Sequence, residues 1–136
     1  MENLNPRAKD AHRVCAVETV MVPREIDHVF SFLAARTNEP RWRKEATSIL
    51  VGDYRITNYR APTRFDFEVI SAPEGPRGSF SLRDVDSRVT EVTFTIDVPV
   101  RGLMRWGTPV ISKRLAVAVH AIHRLPAAMI DWTPAY

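Results

Sequence analysis

The chain has 136 residues, of which 45% are hydrophobic and 26% are charged. This composition is typical of one globular domain, and it excludes disordered, collagen-like and coiled-coil proteins. Its 19 basic and 16 acidic residues leave a net charge of only +3 without a long basic stripe, so we expect no nucleic-acid partner.

Cys15 is the only cysteine, which excludes a disulfide framework and a multi-cysteine zinc site. No stretch reaches the roughly 18 apolar residues that a membrane helix needs. The first residues are polar and include Pro6, which is untypical of a signal peptide. The sequence therefore predicts a cytoplasmic protein without a transmembrane segment.

Residues 1–12 are predicted to be a flexible lead-in, followed by a strand at Arg13–Val22 that is rich in Val and Thr. Pro23 then suits the first turn of a helix. The following apolar residues have helical spacing and predict one buried face: Ile26, Val29, Phe30 and Leu33. A second short helix is expected around Trp42.

From about Thr47 the apolar residues alternate with polar ones, which is typical of strands. The clearest alternation lies in Arg64–Ile70 and Thr90–Val98, each with one apolar and one polar face. Further strands are predicted at Ser48–Val51, at Tyr54–Tyr59 and around Phe80 and Leu82. This half-polar alternation indicates an antiparallel sheet with one solvated face.

A C-terminal helix is predicted over Thr108–Arg124, ended by Pro126. Its apolar stripe has spacings of four and three residues: Ile111, Leu115, Ala118, Ile122 and Leu125. Polar residues lie opposite the stripe: Lys113, His120 and Arg124. We expect one domain at 13–125 and a tail at 126–136, whose Trp132 is a candidate to fold back on the domain.

Strands in one block with helices at its ends predict an α+β fold. The simplest arrangement is a curved antiparallel sheet wrapped around the long C-terminal helix, with two short helices after the first strand. In this arrangement the apolar stripe of the helix and the apolar face of the sheet cover each other.

The order of these elements resembles the helix-grip fold of the START-like SRPBCC superfamily, and in particular its polyketide cyclase/dehydrase-like members. Val22–Leu33 resembles the family's first strand running into a Pro-led helix that ends in VF-x-FL, and Trp42 matches a frequent tryptophan. Tyr54–Phe67 resembles the mid-sheet strands with their P-x-R turn, and Thr90–Arg105 resembles the late strand leading to G-L-x-R. A strand pair usual in the family is missing before Tyr54, which indicates a shortened sheet.

The resemblance implies a cavity between sheet and C-terminal helix. Because few polar residues are expected to face inward, we expect this cavity to hold a small apolar molecule such as a lipid or polyketide, without catalysis and without a cofactor. The candidate ligand-binding residues are Trp42, Tyr54, Phe65, Phe67, Phe80, Phe94, Ile96, Ile111, Leu115 and Ile122. The oligomeric state is left open.

Two alternatives remain. A polyketide cyclase/dehydrase-type enzyme needs a proton donor or acceptor inside the cavity. Glu18 is the one weak candidate, but we expect it to face solvent, and Asn58 is expected to share a face with Tyr54 and Ile56. Cys15 is expected to be a small buried hydrophobe rather than a nucleophile. No catalytic residue is therefore assigned, and whether the chain is an enzyme stays open.

The second alternative is a surface-interaction module that uses the cationic cluster at Arg41–Lys44 to bind an acidic surface or anionic lipid. A metal site is not expected. His120 and His123 have the three-residue spacing that can chelate an ion, but no carboxylate or cysteine lies within a turn of them.

Overall fold

The computed structural model describes residues 13–35, 38, 54–70, 76–99, 108–130 and 132. The lead-in at 1–12, the short helix expected around Trp42, the strand expected at Ser48–Val51 and the cluster Arg41–Lys44 lie outside the described residues. Among the described residues, no helix is long and apolar enough to cross a membrane.

The described chain forms five strands and three α-helical segments. The elements are β1 (Arg13–Val22), α1 (Ile26–Ala34), β2 (Tyr54–Arg60), β3 (Arg64–Val69), β4 (Arg77–Asp86), β5 (Val89–Pro99), α2 (Thr108–His120), a 3₁₀ turn (Ala121–Arg124) and α3 (Leu125–Ala128). The strands form one antiparallel sheet in the order β1-β5-β4-β3-β2. The prediction of an α+β fold with a curved antiparallel sheet and a C-terminal helix is confirmed.

The two faces of the sheet differ because apolar and polar residues alternate along the strands. In β5, Val92, Phe94 and Ile96 are buried, whereas the intervening Thr93 and Thr95 are half-buried. The apolar face, here called the inner face, carries the core and receives the helices. The opposite face, here called the outer face, carries ion pairs between neighbouring strands, such as Arg83 with Glu91 at 2.9 Å.

A β-bulge interrupts the alternation in β2. Ile56 pairs with Phe67, but Asn58 pairs with Asp66, so one residue of β2 is extra at this point. Asn58 therefore lies on the outer face, where its Nδ2 donates to Asp66 Oδ2 at 3.4 Å. The prediction that Asn58 shares a face with Tyr54 and Ile56 is wrong, because it assumed a regular strand.

Helix α2 packs mainly over β1 and also contacts β5. Leu115 and Ala118 of its stripe are fully buried, and Ile111 is half-buried. The predicted end of the helix is wrong. The chain changes to a 3₁₀ turn at Ala121 and then begins α3. Pro126 lies in the first turn of α3, where backbone N–H groups have no partner within the helix, so its missing N–H costs no helical hydrogen bond.

The segment after α3 packs back on the domain. Met129 is fully buried, and Trp132 meets the buried Phe32 of α1 edge to face, with ring centroids 5.2 Å apart. The Arg24 guanidinium donates to the carbonyl oxygen of Met129 at 2.7 Å and to that of Trp132 at 3.2 Å. This arginine therefore ties the end of the described chain to the turn before α1.

Candidate functional site

Four phenylalanines form a continuous aromatic surface on the inner face of β3, β4 and β5. The rings of Phe80 and Phe94 are stacked with centroids 4.6 Å apart, and Phe65 lies 5.0 Å from Phe80. Phe67 lies 6.0 Å from Phe80. Each of the four is at most 4% exposed. The structure thus brings together the four aromatic residues that the alternation assigned to one face, and we call them the phenylalanine cluster.

Gly78 shapes this cluster. It is the register partner of Phe67 across β3 and β4, and the Phe67 ring occupies the position of a Cβ atom there. An alanine at Gly78 would place its Cβ 2.8 and 2.9 Å from the two Cε atoms of Phe67. Phe67 can therefore lean across β4 only because this position has no side chain.

The other predicted ligand-binding residues fall into two groups. Ile96, Leu115 and Ile122 are fully buried in the same core, with Ile111 packed at its edge. The side-chain positions of the remaining two, Tyr54 and Trp42, are not described. Tyr54 pairs with Val69 through its backbone, but its side chain lies outside the described residues, as does all of Trp42.

Helices α1 and α2 cover different parts of the inner face. Whereas α2 lies over β1 and β5, α1 contacts β4 and β5 and brings Phe30 edge to face against Phe65, at 5.6 Å between centroids. Phe30 also meets Tyr59 at 5.3 Å. Neither residue was predicted to belong to the candidate site. The helical spacing could have indicated Phe30, but the bulge obscures the face to which Tyr59 belongs.

Glu18 lies on the inner face of the sheet, contrary to expectation. It is the register partner of the buried Phe94, so it belongs to the inner face of β1, and its side chain is 34% exposed. Its Oε1 accepts a hydrogen bond from His123 Nε2 at 2.7 Å and lies 3.8 Å from His120 Nδ1. The expectation that Glu18 simply faces solvent is wrong, and the two histidines do have a carboxylate beside them.

The hydrogen bond from His123 holds the pKa of the Glu18 carboxyl below its ordinary value, and the charges of His123 and His120 act in the same direction. A carboxyl with a lowered pKa is ionised at neutral pH. It therefore lacks the property of a general acid, which needs a raised pKa to hold its proton.

Cys15 is exposed on the outer face, opposite Asp97 of β5. Partial burial raises the pKa of its thiol, and the Asp97 carboxylate raises it further. The expectation of a buried cysteine is wrong because Cys15 belongs to the residues of β1 that face outward, away from the core. The raised pKa is the opposite of what an activated nucleophile needs.

The outer face also carries a polar groove of about 320 Å³ over β2 to β5. Neutral polar, cationic and anionic side chains line this groove: Thr57, Arg64, Asp66, Arg77, Ser79, Thr95 and Asp97. Arg77 pairs with Asp97 at 3.1 Å and Arg64 with Asp66 at 3.0 Å, so cations and carboxylates largely satisfy one another. Phe67 and Gly78 also line this groove, but its charged residues make it chemically unlike the phenylalanine cluster.

Comparison with known proteins identifies the fold. No family model matches the sequence, and no curated protein matches it. A solved protein from Arthrobacter aurescens is similar with a TM-score of 0.61 at 12% identity, over 88% of each chain. The Aha1 dimer from Colwellia psychrerythraea gives a TM-score of 0.56 at 16% identity, over 88% of this chain and 99% of that one.

The di-domain ARO/CYC BexL from the BE-7585A biosynthetic pathway gives a TM-score of 0.58 at 9% identity, over 97% of this chain and 54% of that one. Identities this low establish a shared fold and not a shared activity. The chain is therefore an α+β protein of the helix-grip type, with the buried phenylalanine cluster on the inner face of its sheet.

Proposed function

We propose that this helix-grip domain binds a small apolar molecule, lipid-like or polyketide-like, between the inner face of the sheet and the C-terminal helix, without catalysing a reaction. The observation that carries the proposal is the phenylalanine cluster. Its rings lie on β3, β4 and β5, and α2 packs mainly on β1, at the edge of the sheet. Aromatic side chains are common in ligand cavities because each provides a large rigid apolar surface.

The chemistry of the inner face favours an apolar ligand over a polar one. Only two polar side chains are buried among the described residues, and both have partners within the protein. Asn38 donates to the carbonyl oxygen of Phe32 at 3.2 Å, and Thr90 donates to that of Arg24 at 2.8 Å. Neither group needs a ligand to satisfy it, so recognition would depend on apolar contact.

Apolar contact provides enough free energy for such binding. A ligand that buries about 300 Å² of apolar surface gains roughly 7 kcal/mol at about 25 cal/mol per Å². Loss of translational and rotational freedom offsets part of this gain. The expected affinity is therefore modest and depends on the fit to the aromatic surface.

The comparison with BexL supports a small-molecule ligand, since an ARO/CYC protein shares the fold. A catalytic role has weaker support. No titratable side chain in the described part of the chain is buried, and Glu18 is an ionised, partly exposed carboxylate. The cyclase-type enzyme therefore remains the alternative. The surface-interaction role of Arg41–Lys44 remains a prediction about residues that the structure does not describe.

The experiment combines native mass spectrometry of freshly purified protein with titration of an environment-sensitive apolar dye. Fatty acids and aromatic polyketides then compete with the dye. The informative variant is Phe67→Ala, and the matched control is Phe32→Ala. Phe32 is equally buried, but it lies against Trp132 and not in the phenylalanine cluster.

We expect the folded protein to bind the dye, Phe67→Ala to change its affinity, and Phe32→Ala to leave the affinity unchanged. If the folded protein binds no apolar probe, the proposal is refuted. Equal effects of the two variants would show that the dye reports loosened packing and not a site at the cluster.

A further inference from the structure

Two histidines and a glutamate meet at the seam between the C-terminal helix and the edge strand β1. One ring nitrogen each from His120 and His123 and a carboxylate oxygen of Glu18 lie within 4.8 Å of one another. We propose that these three side chains, here called the seam triad, bind a divalent transition-metal ion of the Zn²⁺ class. This inference is independent of the apolar ligand proposed above.

The local backbone explains why the two histidines converge. His120 is the last residue of α2, and His123 lies in the 3₁₀ turn that follows. Side chains three residues apart lie almost above one another in 3₁₀ geometry, whereas they diverge by about 60° in an α-helix. The two imidazole centroids are accordingly 4.7 Å apart. The change of helix type at Ala121 thus aims both rings at β1.

The donor distances are close to those that a metal ion requires. Zn²⁺ binds nitrogen and oxygen at about 2.0–2.2 Å, so its tetrahedral donors lie about 3.3 Å apart. Glu18 Oε1 is 2.7 Å from one imidazole nitrogen and 3.8 Å from the other, on either side of this value. The two imidazole nitrogens lie within 4.8 Å of each other, so they need to approach by up to about 1.5 Å to complete the site.

The exposure of the three side chains permits such movements and leaves room for water. His120 is 72% exposed, His123 is 38% exposed and Glu18 is 34% exposed. Three protein donors plus one water make a complete tetrahedral shell for Zn²⁺. The donors also select the metal class, because Ca²⁺ and Mg²⁺ prefer oxygen ligands throughout, whereas imidazole suits Zn²⁺, Co²⁺ and Ni²⁺.

The position of the triad indicates what the ion would do. Glu18 belongs to the edge strand of the sheet and both histidines to the C-terminal helical segment, with more than 100 residues between them in sequence. An ion bound to all three would fasten the helix to the strand. Because such a site exists only in the folded chain, binding stabilises the fold in proportion to the logarithm of metal concentration.

The test uses the full chain without an affinity tag, titrated with ZnCl₂ by calorimetry and with CoCl₂ by visible absorption. The variants are Glu18→Gln, His120→Ala and His123→Ala, and the control is His28→Ala on α1, outside the triad. His120 is the most exposed of the three, so its replacement leaves the fold intact. The melting temperature of each variant without metal checks the fold directly.

We expect one Zn²⁺ ion to bind per chain and the Co²⁺ absorption spectrum to be typical of a four-coordinate ion. The melting temperature should rise with Zn²⁺ concentration. Replacing a residue that only hydrogen-bonds to a metal ligand already lowers the metal affinity about 10–100-fold. Replacing one of the three ligands should therefore lower the affinity at least as much. His28→Ala should bind as the wild type does. Failure of the wild type to bind Zn²⁺, or unchanged affinity in folded His120→Ala and His123→Ala, would overturn the proposal.

Discussion

The ring of Phe67 lies over the backbone of Gly78, in the space that any other residue at position 78 would use for its Cβ atom. The two residues are register partners on β3 and β4, so the strand pairing itself fixes this approach. Phe67 is also packed against Phe65 and Phe80, which restricts any movement of the ring away from β4. The absence of a side chain at Gly78 is thus part of the aromatic packing.

The first prediction concerns this pair. Gly78→Ala should lower the free energy of unfolding by about 1–3 kcal/mol, because the added methyl group forces the buried Phe67 ring out of its place. Urea denaturation followed by circular dichroism measures the change. A double variant with Phe67→Leu should recover part of the loss, as a double-mutant cycle would show. An alanine variant as stable as the wild type would contradict this account.

The second prediction concerns the C-terminal helix. Leu115 is fully buried against the sheet, whereas Val117 on the same helix is 52% exposed. Leu115→Asp should prevent cooperative folding, because it buries an unpaired carboxylate. Val117→Asp makes a comparable change in the same helix and should cost less than about 1 kcal/mol. Thermal unfolding of both proteins tests this difference, and equal melting temperatures would argue against the observed orientation of α2.

The third prediction concerns Arg24 and its two carbonyl acceptors. Arg24→Lys keeps the charge but removes the guanidinium, whose two terminal nitrogens donate to the carbonyl oxygens of Met129 and Trp132. Hydrogen exchange over residues 125–132 should become faster by about tenfold, equivalent to roughly 1.4 kcal/mol. Arg88→Lys in the β4–β5 turn is the matched control. Unchanged exchange in the Arg24 variant would mean that Trp132 packing alone holds this segment.

The fourth prediction concerns the reactivity of Cys15. Partial burial and the neighbouring Asp97 raise the pKa of its thiol, so its thiolate fraction at a given pH is smaller than that of a free cysteine. The pH at which alkylation reaches half its maximal rate should therefore be higher in the protein than in a small thiol.

Replacing Asp97 isolates its share of this effect. Asp97→Asn removes the negative charge that helps to raise the pKa of the thiol, so the midpoint of the alkylation profile should move to lower pH. Thr95→Ala on the same face of β5 should leave the midpoint unchanged. A profile insensitive to Asp97 would assign the raised pKa to burial alone.

The strands were predictable because their signal is local. The alternation in Arg64–Ile70 and the Val- and Thr-rich run at Arg13–Val22 depend only on adjacent residues, and both strands are present with ends within one residue of those predicted. The two local errors have local causes. The bulge before Asn58 shifts the pairing by one residue, and the 3₁₀ turn at Ala121 allows Pro126 to begin a helix instead of ending one.

The seam triad was not predictable from helical spacing, because its carboxylate comes from the opposite end of the chain. A weaker signal was present in β1. Glu18 has the same parity as Val14, Ala16 and Val20, which all belong to the inner face. The other parity of β1 contains Val17 and Met21, so both faces look apolar and the sequence alone could not choose between them.

The strand order has a consequence for how the chain acquires its structure. Of the five strands that the structure describes, β1 comes first in sequence and pairs with β5, which comes last, from Arg13 opposite Pro99 to Val22 opposite Thr90. During synthesis, β1 therefore leaves the ribosome long before its partner exists. Its apolar residues stay exposed to solvent until β5 pairs with β1 and α2 covers them. Such distant pairing slows folding, so we expect this domain to fold only after β5 and α2 have been synthesised.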